Sequence, residues 1–164
     1  MLFRSTTVAL HVGGDAASEM ATFYKKLPDR ADSPVPAYVK AALLATDFER
    51  SQALGKLLSR FESFPWGHLS MARVQRRIGR LKEAADSYRR TLELHRGLLD
   101  AYLELAETLV ELAQYQEAAA AYDNYLRAVP NDRATIQAYA QVLLYRRSEE
   151  HSSELQSHSD LVCR

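Results

Sequence analysis

The sequence is short of the residues that punctuate β-structure. Its 164 residues include 6 glycines and 5 prolines, too few for a β-sandwich studded with turns. It has one cysteine, Cys163, which excludes an internal disulfide and argues only weakly for a reducing compartment. It also lacks an excess of either charge: 21 lysines and arginines balance 21 aspartates and glutamates. No global field therefore draws the chain to nucleic acid or to an anionic membrane. No apolar run approaches the roughly 20 residues that cross a bilayer, so membrane insertion is not expected. The opening Met1-Leu-Phe-Arg-Ser-Thr-Thr7 lacks the basic and then apolar layout of a secretory signal. There is no glycine-rich phosphate loop, no Cys/His metal-binding cluster, no nucleophile elbow and no zinc-protease motif. The expectation is a chain that is not an enzyme, with no catalytic residue, metal or cofactor.

What is present is apolar residues at helical spacing. The hydrophobic share is 47% and the charged share 26%, values of a globular chain and not of a disordered one. Sliding the sequence against itself by 34 residues brings one block into register, a period in the range of solenoid repeats. The clearest unit is 99–132. Its first helix carries Tyr102, Leu105, Ala106 and Leu109, an i, i+3, i+4, i+7 stripe, and its second carries Ala118, Tyr122, Tyr125 and Leu126. Ala113-Gln-Tyr115 reads as the turn between them. Val129-Pro-Asn-Asp132 closes the unit, because proline cannot continue a helix and Asp132 can cap the next one. One period earlier, 65–98 places Ala72, Leu81, Ala84, Tyr88 and Leu92 under Ala106, Tyr115, Ala118, Tyr122 and Leu126, with Gly79 in the turn. One period later, Ile136, Tyr139, Ala140 and Leu143 read as the apolar face of another first helix, over 133–146.

These residues resemble the tetratricopeptide repeat. The family's large residue, Leu-Gly-like pair, small residue, aromatic, alanine, second aromatic and terminal proline correspond to Tyr102, Leu105-Ala106, Ala113, Tyr115, Ala118, Tyr122 and Pro130. Tyr125 departs from the pattern, standing where the family usually has alanine. The unit 65–98 fits less closely, with His68, Gln75 and Arg96 at pattern positions. The resemblance implies an all-α fold, a right-handed α-solenoid of antiparallel helical hairpins. Small residues at Ala106 and Ala118 would let paired helices approach, and each hairpin would bury its face only by stacking on a neighbour. Residues 6–64 are less regular and read as degenerate hairpins of the same solenoid, with a separate helical domain as the alternative. Gly13-Gly14-Asp15 precedes a helix over Ala16–Leu27, and Pro28–Pro36 reads as a loop. Ala37–Thr46 and Phe48–Phe61 form a hairpin with Tyr38, Ala41, Ala42 and Ala45 facing Ala53, Leu57 and Leu58.

The two ends differ in character. Arg147-Ser-Glu-Glu-His-Ser-Ser-Glu-Leu-Gln-Ser-His158, followed by Asp160-Leu-Val-Cys-Arg164, resembles the translation of a widely used sequencing-library adapter, with only Ser152 departing, from threonine. Leu2-Phe-Arg-Ser5 is similar to the translated partner adapter. On this reading 1–5 and 147–164 are adapter-derived, and 6–146 is a slice of a longer, bacterial protein. Cys163, His151 and His158 then drop out of any argument, and the helix of 133–146 ends where the tail begins. The compartment stays open, with cytoplasm slightly favoured over periplasm.

The remaining histidines, His11, His68 and His95, are scattered, and His68 reads as partly buried structure. Glu93 and His95 are two residues apart on a helix and do not face each other. The most pointed cluster is Arg73, Arg76, Arg77 and Arg80. By analogy with the family, the concave, partner-binding face would carry Leu69, Arg73, Arg76, Arg77, Leu103, Glu104, Glu107, Val110, Glu111, Gln137 and Gln141, and Tyr145 also faces this groove. One reading is a basic patch for an acidic peptide. The favoured one pairs Arg73 with Glu107 and Arg77 with Glu111 on the next first helix, exposed pairs worth only about 0–1 kcal/mol. No stacking aromatics accompany the arginines, which argues against single-stranded nucleic acid. The family's carboxylate clamp, a lysine and two asparagines, meets Leu69, Arg73 and Glu104 here. The expected function is a scaffold that binds a peptide or helix of another protein, with no covalent chemistry. The alternatives are a substrate-recruiting region of an enzyme of glycosyltransferase, sulfotransferase or signalling type whose catalytic domain lies elsewhere, and an envelope assembly or secretion scaffold. Oligomeric state is not set by the sequence.

Overall fold

The computed structural model describes residues 32–162, with Thr22, Phe23, Lys26 and Pro28 before them, and side chains as far as Ser148. The helix expected over Ala16–Leu27 lies largely outside the described residues, as do the first five residues and Cys163. The described residues form seven helices and no strand. These are α1 (Val35–Ala42), α2 (Asp47–Leu58), α3 (Pro65–Arg77), α4 (Leu81–Leu94), α5 (Leu99–Glu111), α6 (Tyr115–Ala128) and α7 (Arg133–Val162). By contacts the chain divides into two compact units, Met1–Gly67 and His68–Arg164.

In the first unit α1 begins at Val35, inside the segment expected to be a loop. Pro36 falls in the first turn, where a missing N–H costs nothing because no intrahelical acceptor precedes it. Helix α2 starts with a capping box: the Thr46 hydroxyl accepts from the Glu49 N–H at 3.2 Å, and the Glu49 carboxylate accepts from the Thr46 N–H at 3.3 Å. Arg50 donates to Asp47 at 3.0 Å and to the Leu44 carbonyl at 2.7 Å, tying α2 to the turn before it. Ala41, Leu54, Leu57 and Phe64 are buried. Ala42 and Ala45, expected to face α2, are exposed instead, because α1 ends at Ala42 and the chain turns there. Tyr38 meets Phe64 edge-on at 5.4 Å. At Gly67 a side chain would start 2.9 Å from Leu58 Cδ2 and 3.0 Å from Leu57 Cδ2, so glycine permits this approach.

The second unit repeats in space as it does in sequence. Helices α3, α5 and α7 begin at 65, 99 and 133, and α4 and α6 at 81 and 115, each interval being 34 residues. Ala72, Ala84, Ala106 and Ala118 are all 0% exposed. A bare methyl at each of these positions lets the helix axes close on one another, and Tyr88, Leu105, Leu109 and Tyr122 fill the space around them. Burying each of these larger side chains contributes on the order of 1.5–3 kcal/mol. The buried Thr91 and Thr108 hydroxyls donate to the carbonyls four residues back, Ser87 at 2.9 Å and Glu104 at 2.7 Å, so neither is an orphan.

The turns repeat as well. Gly79, φ +80°, and Ala113, φ +57°, occupy the same repeat position in the left-handed region. Each is followed by a 2.8 Å bond that closes the helix end, Arg80 N–H to Gln75 O and Gln114 N–H to Leu109 O. Asp132 caps α7 as expected. Its Oδ1 accepts from the N–H groups of Ala134 and Thr135, at 3.1 and 3.3 Å. Its Oδ2 accepts from the Thr135 hydroxyl at 2.9 Å and from Tyr125 Oη at 3.0 Å. Tyr125, the departure from the family pattern, thus ties the end of one repeat to the cap of the next.

Two expectations for α7 are corrected. The helix does not end at 146 but runs through Arg147 to Val162, a stretch with no proline or glycine to stop it. Its inward face is Thr135, Ala138, Tyr139 and Val142, with Leu143 at the margin, while Ile136, Ala140 and Leu144 are exposed. Ala72 and Ala106, the counterparts of Ala140, are each covered by a following helix packed alongside. The described part of α7 has no such helix on that side.

Candidate functional site

The first helices α3, α5 and α7 carry the residues expected to meet a partner, and the structure sorts them into three groups. Leu69 is 6% exposed and belongs to the core, so it is not available to a ligand. Arg73, Arg76, Glu104, Glu107 and Glu111 are drawn together in ion pairs. Leu103, Val110, Gln137, Gln141 and Tyr145 are not part of that ionic network. Arg77 and Arg80 are exposed near the end of α3.

The ion pairs do not follow the expected register. Arg73 pairs with Glu104, not Glu107: its Nε donates at 3.0 and 2.8 Å to the two carboxylate oxygens, and its Nη2 donates as well. Asp100 lies 4.0 Å away. The expected partners of Arg73 and Arg77, Glu107 and Glu111, are both taken by Arg76, whose Nη1 reaches Glu107 at 2.8 Å and whose Nε reaches Glu111 at 3.0 Å. A side chain on one helix seats between two side chains of the next, not against its own repeat equivalent. The offsets are therefore 31 and 35 residues instead of 34.

Glu104 has a third partner. Tyr88 of α4, 0% exposed, donates its hydroxyl to Glu104 Oε2 at 2.9 Å. Burial and then the Glu104 carboxylate push the Tyr88 phenol well above its ordinary range. The hydrogen bonds that Arg73 donates to Glu104 raise its guanidinium pKa despite partial burial. At Arg76 burial works to lower the pKa, but the hydrogen bonds to Glu107 and Glu111 outweigh it and raise it. Both guanidiniums therefore stay charged and the phenol stays neutral at neutral pH. Arg73, Arg76, Arg77, Tyr88, Glu104 and Glu111 line an open depression of about 450 Å³, in which Arg73 and Arg76 are already ion-paired. Sequence reasoning took Tyr88 for packing alone; the signal was the hydroxyl, which phenylalanine would lack.

The rung between α5 and α7 differs in chemistry. Leu103 and Val110 are half-buried against the core, and Gln137 and Gln141 are exposed. Tyr145 stacks on Tyr115 with ring centres 5.3 Å apart and planes 22° apart. Gln141 Nε2 donates to Tyr145 Oη at a long 3.4 Å. On the second helices, Arg89 bridges α4 to α6 through Glu117 at 2.8 Å, a tie the sequence reading did not anticipate. In the first unit, Ala37, Ala41, Leu44, Ala53, Leu57 and Phe61 floor a second depression of about 590 Å³, with Lys40, Lys56 and Arg60 at its rim. Among the described residues no cluster of His, Cys, Asp and Glu is placed to hold a metal ion. No described helix is long and apolar enough to cross a membrane.

Helical pairs of constant length, spaced by 34 residues and held by alanines at fixed positions, define an all-α repeat fold of the tetratricopeptide type. Comparison with known proteins agrees. Residues 99–142 match the family model described as tetratricopeptide repeat. The first TPR of Spaghetti (RPAP3), solved with an HSP90 peptide, superposes with a TM-score of 0.62 at 15% identity, over 71% of this chain and 97% of that one. The first TPR domain of human RPAP3 gives 0.64 at 17%, over 75% and 99%. MamA gives 0.67 at 14%, over 91% and 86%. At such identities the likeness establishes the fold alone. No curated protein sequence matches the chain.

Proposed function

We propose that this chain is a protein-interaction scaffold whose first-helix face, formed by α3, α5 and α7, binds a peptide or helix of another protein without covalent chemistry. The observation that carries the reading is the run of bonds from α3 to α5 through Arg73, Arg76, Glu104, Glu107 and Glu111. These bonds bring the polar tips of α3 and α5 together, which supports reading the first helices as one surface. A preorganised row of side chains on a rigid frame reduces the ordering cost of binding. The Spaghetti repeat, of like fold, carries a peptide in its solved structure. The composition of this face differs from a carboxylate clamp: Leu69 is in the core, Arg73 is held by Glu104, and Glu104 is itself anionic. A free C-terminal carboxylate is therefore not the ligand favoured here.

The test is a peptide library displayed on phage and panned against the purified chain, with the footprint of enriched peptides mapped by amide chemical-shift changes. Shifts should concentrate on α5 and α7 around Leu103, Glu107 and Gln141. Enrichment of no peptide, or a footprint confined to α4 and α6, would overturn the proposal.

A further inference from the structure

Within that reading, we infer that the partner docks on the α5–α7 half of the face and is an uncharged, extended peptide segment bearing an apolar side chain. The argument is one of register. Arg76 seats between Glu107 and Glu111 of the next first helix. The residue 34 positions on from Arg76 is Val110, and the same offsets, 31 and 35, lead from it to Gln141 and Tyr145 on α7. An ionic rung is thus followed by a neutral one.

The two rungs offer different things to a ligand. In the ionic rung Glu104 is held by Arg73 and Tyr88, and Arg76 by two carboxylates. A charged ligand group would have to displace a partner already present, exchanging one ion pair for another at little net gain. In the neutral rung Gln137 and Gln141 are exposed and one helical turn apart. Each amide offers a donor and an acceptor, the complement of the N–H and C=O that any peptide backbone carries. Residues four apart on a helix lie about 5–6 Å from each other, near the roughly 6.6 Å between alternate residues of an extended strand. The bond from Gln141 to Tyr145, at 3.4 Å, is long enough to be given up readily. Tyr145 is 46% exposed, and its ring is already fixed by the stack on Tyr115. The 35-residue offset sets it beside half-buried Val110, and the fixed ring offers a ligand side chain an apolar face at little further entropy cost. A cation on the ligand would find Glu107 and Glu111 already held by Arg76, and an anion would meet only amides and an aromatic ring, so either would lose hydration for little return. This selects a neutral segment.

The experiment titrates the intact chain with three sets of blocked heptapeptides that share a central Leu or Pro and differ in their flanks: Ala/Ser/Thr/Asn, Asp/Glu, or Lys/Arg. The neutral set should bind, with affinity nearly independent of sodium chloride. The double variant Gln137→Ala/Gln141→Ala should weaken it by about tenfold, as expected for two lost neutral hydrogen bonds. Both residues are exposed, so the variant should keep its native helical circular dichroism and melting temperature, and Lys82→Glu, exposed on α4, should bind the neutral set as the parent does. Tighter binding of either charged set on this face would overturn the inference and leave the scaffold reading standing. Undiminished binding by the double variant would also overturn the inference. Binding of none of the three sets would count against both.

Discussion

Replacing Glu104 by alanine takes the acceptor from Tyr88 and the counter-ion from Arg73 at once. The two losses differ in kind. The Tyr88 side chain is fully buried, so its hydroxyl is left without a protein partner, at a cost of about 1–3 kcal/mol. The Arg73 side chain is 40% exposed. Its guanidinium recovers water, and the lost pair costs only about 0–1 kcal/mol. The expected total is about 1–4 kcal/mol, most of it from the tyrosine. Tyr88→Phe alone leaves Glu104 still held by Arg73 and costs about 0.5–1.5 kcal/mol. In the Tyr88→Phe background Glu104→Ala strands no hydroxyl, so its effect should shrink by on the order of 1 kcal/mol or more. Urea denaturation at pH 7, followed by helical circular dichroism, gives the four free energies of this cycle, with m unchanged across it. Additivity of the two substitutions within about 0.5 kcal/mol would refute the reasoning, because it would mean the Tyr88 hydroxyl does not depend on Glu104.

The remaining predictions follow from single positions. Ala118→Arg pushes a long charged chain into a site with 0% exposure and should cost at least about 3 kcal/mol in a denaturant titration; an unaltered midpoint would contradict the packing assignment. Gly79 and Ala113 share a left-handed turn position, so Gly79→Ala should destabilise by about 1 kcal/mol and Ala113→Gly should stabilise by about 0.5–1 kcal/mol, visible as opposite shifts of melting temperature. The Thr135 hydroxyl, then the Thr135 N–H and Tyr125, hold the Asp132 carboxyl below its ordinary range. Its folded-state pKa is thus the lower one: the contribution to stability is complete above the ordinary carboxylate range and fades as pH falls through the folded-state value. Asp132→Asn should therefore lower the melting temperature at neutral pH and flatten its decline in acid, and parallel acid profiles for parent and variant would count against the cap.

The parts of the fold legible in the sequence were those fixed by small or conformationally special residues. Ala72, Ala106 and Ala118 announced the helix contacts because a larger side chain could not occupy them, and Asp132 announced the cap because its oxygen must meet an N–H within three residues. The capping box is equally legible, as Thr46 followed by Glu49, and marks the start of α2 more sharply than apolar spacing does. What the sequence could not yield was stagger between helices. Arg73 and Glu107 hold the same repeat position, so sequence logic sets them opposite each other. The real partner, Glu104, is one helical turn away because side chains interleave. The same limit misplaced Ile136 and Ala140: the repeat assigns them to a buried face, but burial depends on whether a second helix packs on that side. Leu69 was misread for a related reason, since apolar groove residues and apolar core residues have the same composition.

The repeat holds its packing positions constant and varies the face beside them. Position by position, Ala72, Ala106 and Ala140 are the same residue, as are Ala84 and Ala118, and Tyr88 and Tyr122. Beside them, Arg73 becomes Glu107 and then Gln141, Arg76 becomes Val110 and then Leu144, and Arg77 becomes Glu111 and then Tyr145. The frame tolerates these changes because first-helix tips are partly solvated and each is worth little to stability. The conserved alanines keep successive tips in a fixed relation, so whatever chemistry is written at these positions is displayed in order: positive, then mainly negative, then neutral. The first two cancel through Arg73 and Arg76, which turns the charged helices into a braced wall. The uncommitted chemistry then lies one rung further on, where Val110 meets the register of Gln141 and Tyr145.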